Sequence, residues 1–593
     1  MLPFFVKEIF YLYLGSIIFL FLAAAVGWNV IARSGQVSFA HAGFWAIGAY
    51  TSALLTTRLG MPFFLCFVLA GILSATIACL LGMVFVRAAG IFFALLTMGV
   101  SEVIRLFIIN VPALTYGVNG VVGVPPPVLP IINVVIESKA AFYWLNFSFA
   151  ALVVVFATVL YRSPWGSTLL AVRDNFLLAE CTGINTRWYK ILAFSIGSLI
   201  AGLTGSLLAP FLTFVGPESF TFWKSFDAVA MNVVGGIGSV AGPIIGAFIM
   251  CPLPELLRGF VAYQAALYGL IIVLIVVLLP NGLISLPAHL PILRKLTISD
   301  NKEVREEVMP LTDQSKVSES PDIRWRELSW QNTERSHGQN RGLLQVKNVS
   351  KNFGGVAAVS DVTLAIGQGE IFGIIGPNGS GKSTVFNLIS GVIRPDSGTV
   401  MFKGEDITGL AAHKVARRGL TRTFQATTLY CQATVWENVV RGRSFSSGVS
   451  FWSSLFGTGR RNYREACRKT ELLLDLLGLN VFRKQLPSNL PYGVQKQIQL
   501  AIALATEPEI ILVDEPVSGM NPLEAAAMAT IIKRVRDLGV TVVVVEHNMD
   551  FVMNLCERIA VLDHGVKIAE GSCEEIRNNP AVIEAYLGAE DAN

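Results

Sequence analysis

Charge is scarce in this chain, and the scarcity is uneven. Only 15% of the 593 residues are Asp, Glu, Lys or Arg, and residues 1–290 hold 12 Lys/Arg and 8 Asp/Glu, 20 of the 88 charged side chains. A first half so poor in charge and so apolar does not have the composition of a soluble domain, whereas the second half does. Cysteine is sparse as well. The eight cysteines (Cys66, Cys79, Cys181, Cys251, Cys431, Cys467, Cys556, Cys573) include no CxxC pair and no metal-ligand spacing, so neither a disulfide framework nor a zinc site is expected and buried free thiols are. The formal charge of +4 is too small and too spread out to argue for nucleic acid. The opening "MLPFFVKEIFYLYLGSIIFLFLAAAVGW" lacks the basic start and small-residue cleavage site of a signal peptide, and reads as a retained span.

What the second half does carry is specific. "IFGIIGPNGSGKSTVFNLISG" joins an apolar strand, the pattern GxxxxGK(S/T) and an apolar helix. Such a loop turns backbone N–H groups of Gly376, Asn378, Gly379, Ser380 and Gly381 inward around phosphates. Lys382 reaches the β- and γ-phosphates, Ser383 offers a hydroxyl to Mg2+, and Thr384 follows at the positive end of the helix. "EIILVDEP" is a buried strand ending in acids, where ligands bind in parallel α/β sheets. There Asp514 is expected in the Mg2+ shell and Glu515 beside the attacking water. "VTVVVVEHNMD" is another apolar strand, and His547 at its end can reach a γ-phosphate. Each taken alone is an ordinary strand-end polar residue; in this order they read as an ATP-hydrolysing site with ATP and Mg2+ as cofactors.

An ATPase domain belongs in the cytosol, which fixes the membrane half by parity. Apolar runs near 9–32, 36–57, 62–86, 90–110, 140–161, 189–214, 240–257 and 262–280 each approach the roughly 20 residues a crossing helix needs. The loop 161–190, with Arg162, Arg173, Arg187 and Lys190, is cytosolic by the positive-inside rule. Eight runs would then strand the ATPase outside. A ninth crossing is expected at "ESFTFWKSFDAVAMNVVGG", residues 218–236, polar at its tip and closing on two glycines, a composition tolerated where a segment is packed against protein. The N-terminus is then external. Within the spans His41 is expected to pack in the bundle against a backbone carbonyl, and Glu102 and Arg105 to pair along one helix face. Residues 291–342 are polar and charged without apolar periodicity, and are expected to be a flexible tether reaching on the order of 40 Å.

With these motifs in view, residues 343–588 resemble the ATP-binding cassette (ABC) family. The resemblance implies that Phe353 in "KNFGG" stacks on adenine and that Gln425 in "TRTFQATTLY" touches Mg2+ and senses the membrane domain. It also implies that Tyr492 and Gly493 in "NLPYGVQK" belong to the signature loop and that "SGMNP" crosses to a second subunit. "RTFQ", the long insert "FSSGVSFWSSLFGTGRRNYREACRK", "GMNP" and the terminal "AYLG" resemble the LivG-type ATPases of branched-chain amino acid importers. "GQVSFAHAGFWAIGAYTSALL", "GIFFALLTMGVSEVIR", "NGVVGVP" and "GINTRWYKILAFSIGSLIAGLTGSLLAP" resemble the LivM-type permeases of the same systems.

The implied architecture is a natural fusion. A polytopic all-α permease domain (1–290, with a coupling helix inside 161–190) precedes a linker (291–342) and an α/β P-loop ABC domain (343–593). The implied activity is ATP hydrolysis coupled to import of branched-chain amino acids or a related small solute, at a bacterial inner membrane with the ATPase cytosolic. The implied partners are a second permease, a second ATPase and an external solute-binding protein. Urea, short amides and small aromatic or carboxylated compounds are alternative substrates. A homodimeric exporter is an alternative class, against which the short intracellular loops weigh, and a membrane-anchored regulator that moves no solute is a third.

One loop departs from the family pattern. Where the usual signature reads LSGGQ, Pro491 takes the place of the serine, Tyr492 of the first glycine and Val494 of the glutamine, with Gln495 one position later. Tyr before Gly is ordinary in LivG-type chains; the proline and valine are not. Pro491 is expected in the first turn of the following helix, where its missing N–H costs little. In the family this loop completes the site of the opposite subunit, so its irregularity implies a partner ATPase unlike this one and two unequal composite sites.

Overall fold

The computed structural model describes residues 8–286 and 342–587, apart from 89, 130–133, 261, 427, 444–450 and 456–457. The expected tether, the first seven residues and much of the insert lie outside the described residues. The chain divides into two compact units, 1–173 with 187–312, and 174–186 with 313–593.

The first unit is helical. Its main helices are α1 (Ile9–Ala32), α2 (His41–Leu59), α3 (Phe63–Phe85), α4 (Ile91–Asn110), α5 (Lys139–Arg162), α6 (Pro164–Asp174), α8 (Thr186–Leu212), α9 (Phe222–Gly235), α10 (Ala241–Met250) and α11 (Gln264–Leu278), while the short α7 (Phe176–Cys181) belongs to the second unit. Among the described residues six helices are long and apolar enough to cross a membrane, 9–32, 63–85, 91–110, 139–162, 186–212 and 241–260. The expectation of nine crossings is therefore not met on length and hydropathy. The shortfall has physical reasons: α2 is diluted by Gly, Ser, Thr and His, α9 has 14 residues, and α11 has 15.

Small residues bring the bundle together. A Cβ on Gly48 would stand 1.9 Å from the carbonyl oxygen of Gly202, and one on Gly205 would stand 2.1 Å from that of Trp45, so α2 and α8 cross backbone to backbone. Aromatic rings fill the space beside them, Phe44 and Phe93 both meeting Phe194 edge-on.

The segment 218–236 is a short 3-10 turn followed by α9, which stops at Gly236 with φ +115°. Its broken end is met by side chains, as backbone away from water requires. Asn29 Nδ2 donates to Asn232 Oδ1 (2.8 Å) and to the Ile237 carbonyl (3.1 Å), while Asn232 Nδ2 donates to the carbonyls of Ala25 and Ala228. Tyr161 donates its hydroxyl to Asn29 Oδ1 (2.8 Å), and Arg33, stacked 3.8 Å over the Tyr161 ring, donates to the Gly238 carbonyl. Glu102 and Arg105 pair as their spacing predicts, and Arg105 also reaches Glu218. His41 is buried in the bundle with the Ala24 backbone carbonyl facing its ring, as expected, although the contact is looser than a well-formed hydrogen bond.

The second unit is a two-sheet α/β domain. Its strands are β1 (Leu344–Phe353), β2 (Val356–Ile366), β3 (Ile371–Ile375), β4 (Ser397–Phe402), β5 (Glu405–Asp406), β6 (Leu420–Arg422), β7 (Ile510–Asp514), β8 (Thr541–Val545), β9 (Arg558–Asp563) and β10 (Val566–Gly571). The central sheet has the order β6-β7-β8-β3-β9-β10, parallel except for β10, and a second antiparallel sheet runs β2-β1-β4-β5. β3, β7 and β8 are buried at every residue, which explains their unbroken apolar sequences. The helices that matter for the site are α12 (Lys382–Ile389), α13 (Ala412–Ala416), α14 (Val435–Gly442), α15 (Arg460–Leu476) and α16 (Tyr492–Leu504).

Gly48→Ala is expected to lower the stability of the detergent-purified chain by about 1–3 kcal/mol, because the methyl meets backbone that cannot step aside. Gly99→Ala, also in a helix but with nothing within 4 Å of its Cβ, is expected to be neutral or to stabilise by up to about 1 kcal/mol. Parallel thermal melts of the two variants check the pair.

Candidate nucleotide site

The site forms at the C-terminal edge of the parallel sheet. After β3 the chain turns through Gly376 (φ +150°), Gly379 (φ +83°) and Gly381 (φ +96°) into α12. A Cβ on Gly376 would lie 2.0 Å from the Leu562 carbonyl oxygen, and only glycine permits that approach. Gly379 has open space beside it, and Asn378, Gly379 and Ser383 are exposed, so the loop presents its backbone outward over the helix start. Ser380 is buried and Thr384 half-buried.

Lys382 is buried and curls over its own loop. Its Nζ donates to the carbonyls of Gly376 and Pro377, both at 2.8 Å. Burial lowers its pKa, while the charges of Glu515 and Asp514 oppose that shift.

Asp514 ends β7, 2% exposed. Its Oδ2 accepts from Arg422 Nη2 at 3.2 Å, and its Oδ1 is buried with no hydrogen-bond partner. Burial raises the carboxyl pKa, and Arg422 pulls it back. Arg422 is itself buried, and Nη1 donates to Asn387 Oδ1 (2.5 Å) and Ser390 Oγ (3.3 Å). One guanidinium thus ties β6, α12 and the end of β7 together.

Glu515 follows in the left-handed region (φ +45°), a conformation that costs a glutamate on the order of 1–3 kcal/mol and aims its side chain away from the strand direction. Its Oε1 accepts from Gln425 Nε2 at 2.9 Å. The Gln425 loop is held in turn by α16, since Lys496 Nζ donates to the Gln425 carbonyl (2.6 Å) and Gln499 Nε2 to that of Ala426 (2.8 Å).

Lys382, Asp514, Glu515 and Gln425 therefore converge, and Tyr492 lies near enough that the Glu515 charge, after burial, raises its phenol pKa. Phe353 is exposed at the β1–β2 hairpin, with Lys351 Nζ 5.8 Å from its ring centre. His547 is exposed at the end of β8, and the neighbouring Glu546, fully buried, holds it. Glu546 accepts from the N–H groups of Val517 (2.9 Å), His547 (3.0 Å) and Asn548 (3.3 Å).

Sequence reading missed Arg422, Glu546 and Lys496. Glu546 had a signal, an acid closing a run of four valines. Arg422 and Lys496 had none, because their partners lie 92 and 71 residues away.

The signature loop corrects one expectation. Pro491 is not in the first turn; it is the N-cap of α16 in extended conformation (φ −55°, ψ 150°), and the helix begins at Tyr492. Its ring offers no acceptor, so no side chain caps the first N–H groups. Gly493 is buried, and Gln495 folds back to donate its side chain to the Leu490 carbonyl at 2.9 Å.

Comparison with known proteins agrees with this geometry in both halves. Residues 9–279 match the family model of the branched-chain amino acid transport system permease component. Residues 359–518 match that of the ABC transporter, and 566–592 that of the branched-chain amino acid ATP-binding cassette transporter. The high-affinity branched-chain amino acid transport ATP-binding protein BraF of Pseudomonas aeruginosa is 38% identical over 251 residues, which is 42% of this chain and 98% of BraF. The chain belongs to the ABC transporter family. It is a permease and an ATPase of the branched-chain amino acid type fused in one polypeptide, and the ATPase is a P-loop ATP hydrolase coupled to transport. The LivG protein of Salmonella typhimurium is 39% identical over 249 residues, 42% of this chain and 98% of LivG. A nucleotide-free ATP-binding cassette of known structure aligns with a TM-score of 0.37 at 33% identity, covering 41% of this chain and 98% of its own.

The cap geometry predicts a difference between two replacements of Pro491. Serine can accept from the N–H groups of the first turn and alanine cannot, so Pro491→Ser is expected to be more stable than Pro491→Ala by about 1 kcal/mol. Denaturant titration of both purified variants reads the difference.

Proposed function

We propose that this chain is the fused permease and ATPase subunit of an importer for branched-chain amino acids or a closely related small solute. The reading is supported by one observation above others: both halves independently match branched-chain amino acid transport proteins. A second permease, a second ATPase and an external solute-binding protein complete the machine. The chain lies in a bacterial inner membrane with its ATPase in the cytosol, and α2, α9 and α11 cross beside the six longer helices to give nine crossings. The domains are 1–290 and 343–593, joined by 291–342.

The site residues take the following roles. Lys382 exchanges its hold on the Gly376 and Pro377 carbonyls for the β- and γ-phosphate oxygens, and the amides of Gly376, Asn378, Gly379, Ser380 and Gly381 close around them. Phe353 stacks on the adenine. Glu515, aimed by its backbone and by Gln425, orients the attacking water, and His547, fixed by Glu546, contacts the γ-phosphate. Among the described residues no three His, Cys, Asp or Glu are grouped to hold a metal ion. Mg2+ needs no such group, because one carboxylate with a hydroxyl, waters and phosphates suffices. The buried, unpartnered Asp514 Oδ1 fits it, with Ser383 and Gln425 as the other protein ligands. When bound, Mg2+ neutralises charge on the transferring phosphate. Tyr492 and Gly493 face the nucleotide of the opposite subunit, so the loss of serine at 491 weakens the partner's composite site.

Four measurements test this. Glu515→Gln is expected to cut turnover by at least about 100-fold while ATP binding persists, and Pro491→Ser to change turnover by less than about threefold. Equal loss from the partner's corresponding glutamate would reject two unequal sites. In proteoliposomes with the whole assembly, uptake of radiolabelled leucine, isoleucine or valine is expected only when the binding protein is supplied outside. Movement outward without it would make the chain an exporter, and ATP turnover with no solute movement would make it a regulator.

A further inference from the structure

Charge within the helices of the first unit is confined to a few places. α1, α3 and α10 carry no charged residue, and α5 and α8 carry theirs among their first or last five residues. α4 differs, because Glu102 and Arg105 lie in its interior, more than a turn from either end. A charged side chain at that depth of a membrane-crossing helix is costly, so it pairs and faces protein or a watery cavity instead of lipid.

Arg105 clasps two carboxylates. Its Nε donates to both oxygens of Glu102 (3.1 Å each), Nη2 donates to Glu102 Oε1 (2.6 Å), and Nη1 donates to Glu218 Oε1 (3.2 Å). Glu218 lies in the 3-10 turn Pro217–Phe220 that leads into α9. A guanidinium has five N–H groups, so two of them, one on each terminal nitrogen, are left over among the described residues. Glu218 makes this single contact there, and its side chain is 76% exposed, against 38% for Glu102 and 20% for Arg105. The place therefore has unused capacity of both signs. Beside it the outer face of α4 is open. A Cβ on Gly99, one turn before Glu102 on the same face, would meet nothing within 4 Å, and exposed Leu95, Met98 and Val103 border that gap.

We propose that Glu218, Arg105 and the open face of α4 at Gly99 form a subsite for the solute within the permease. Glu218 takes the ammonium of an α-amino acid, the two spare N–H groups of Arg105 take its carboxylate, and the gap at Gly99 receives a branched apolar side chain. Glu102 is a positioning residue, since by holding Nε and Nη2 it fixes the plane of the guanidinium. A turn next to a short, interrupted helix is where transporters commonly place such groups. The subsite rests on the reading of the chain as an importer of branched-chain amino acids and adds a requirement for both charges of the solute. A keto acid brings nothing for Glu218 and an amine nothing for Arg105, and each leaves one member of the site without its partner.

The test uses the full assembly in proteoliposomes, with the binding protein left out so that solute reaches the permease directly. Gly99→Cys is treated from outside with a membrane-impermeant maleimide, with and without ATP, the unmodified chain giving the background. Maleimide attacks the thiolate, which forms in water and not in lipid. The cysteine is expected to react, and leucine at roughly 10 mM to slow labelling at least about fivefold, while the keto acid and the amine of leucine slow it by less than about twofold. A cysteine that reacts in neither condition, because lipid or the second permease covers this face, overturns the proposal, and so does labelling that leucine does not slow. Glu218→Gln in the same background is expected to raise the leucine concentration for half protection at least about tenfold, and Glu218→Asp to recover most of it. Protection that is the same in Glu218→Gln overturns the assignment. Where Gly99→Cys fails to fold, leucine uptake with the binding protein supplied decides: a fall of at least about tenfold in Glu218→Gln, recovered in Glu218→Asp, is expected, and an unchanged rate overturns the subsite. Uptake of none of the three branched-chain amino acids by the unmodified assembly would reject the importer reading itself, whereas uptake without protection rejects the subsite alone.

Discussion

Charge balance at one edge of a buried sheet is the constraint on which the rest of the ATPase depends. Asp514 and Glu515 stand side by side at the edge where the phosphate loop turns, and Glu546, buried at the end of the adjacent strand, is satisfied by the N–H groups of Val517, His547 and Asn548. The cations that make this tolerable are Lys382, Arg422 and Lys496, each buried and each pushed toward its neutral form by that burial. What keeps them charged is the same set of carboxylates. Neither set is comfortable alone, so removing one member leaves another exposed to the full cost of desolvation. The glycine turns, the strained Glu515 backbone and the anchoring of the Gln425 loop on α16 are ways of holding that balance in position.

The pattern explains what could be read from the chain in advance. The positions of Lys382, Ser383, Asp514 and Glu515 were legible because they are set locally: each sits where a particular strand or helix meets a particular turn. Arg422 and Lys496 were not, because nothing near them in sequence indicates the carboxylate or carbonyl they will meet. Pro491 was placed correctly in the loop and wrongly in the helix, since a proline is equally at home just before a helix and in its first turn, and only the backbone angles separate the two.

In the membrane half the same distinction holds. Long apolar runs declared themselves, with α1, α3, α4, α5 and α8 falling within a few residues of expectation. The mixed segments were legible as helices too, α2 from the run at 36–57 and α9 from 218–236, but what holds them, glycine-to-backbone contact and a pair of asparagines, is nothing that a count of apolar residues registers. For His41 both burial and a backbone carbonyl beside the ring could be anticipated, but not that the carbonyl would be that of Ala24 in the preceding helix.

The Asn29–Asn232 contact also has a bearing on the order in which the protein is made. The two residues are 203 positions apart. Asn29 leaves the ribosome in the first helix, while α9, about 21 Å long by its rise per residue, is too short to be retained by a hydrocarbon layer of about 30 Å without help. Asn29 is therefore made long before Asn232, and the contact that fixes α9 in the bundle waits for the later residue. The interior of the bundle is sealed by the meeting of an early residue with a late one.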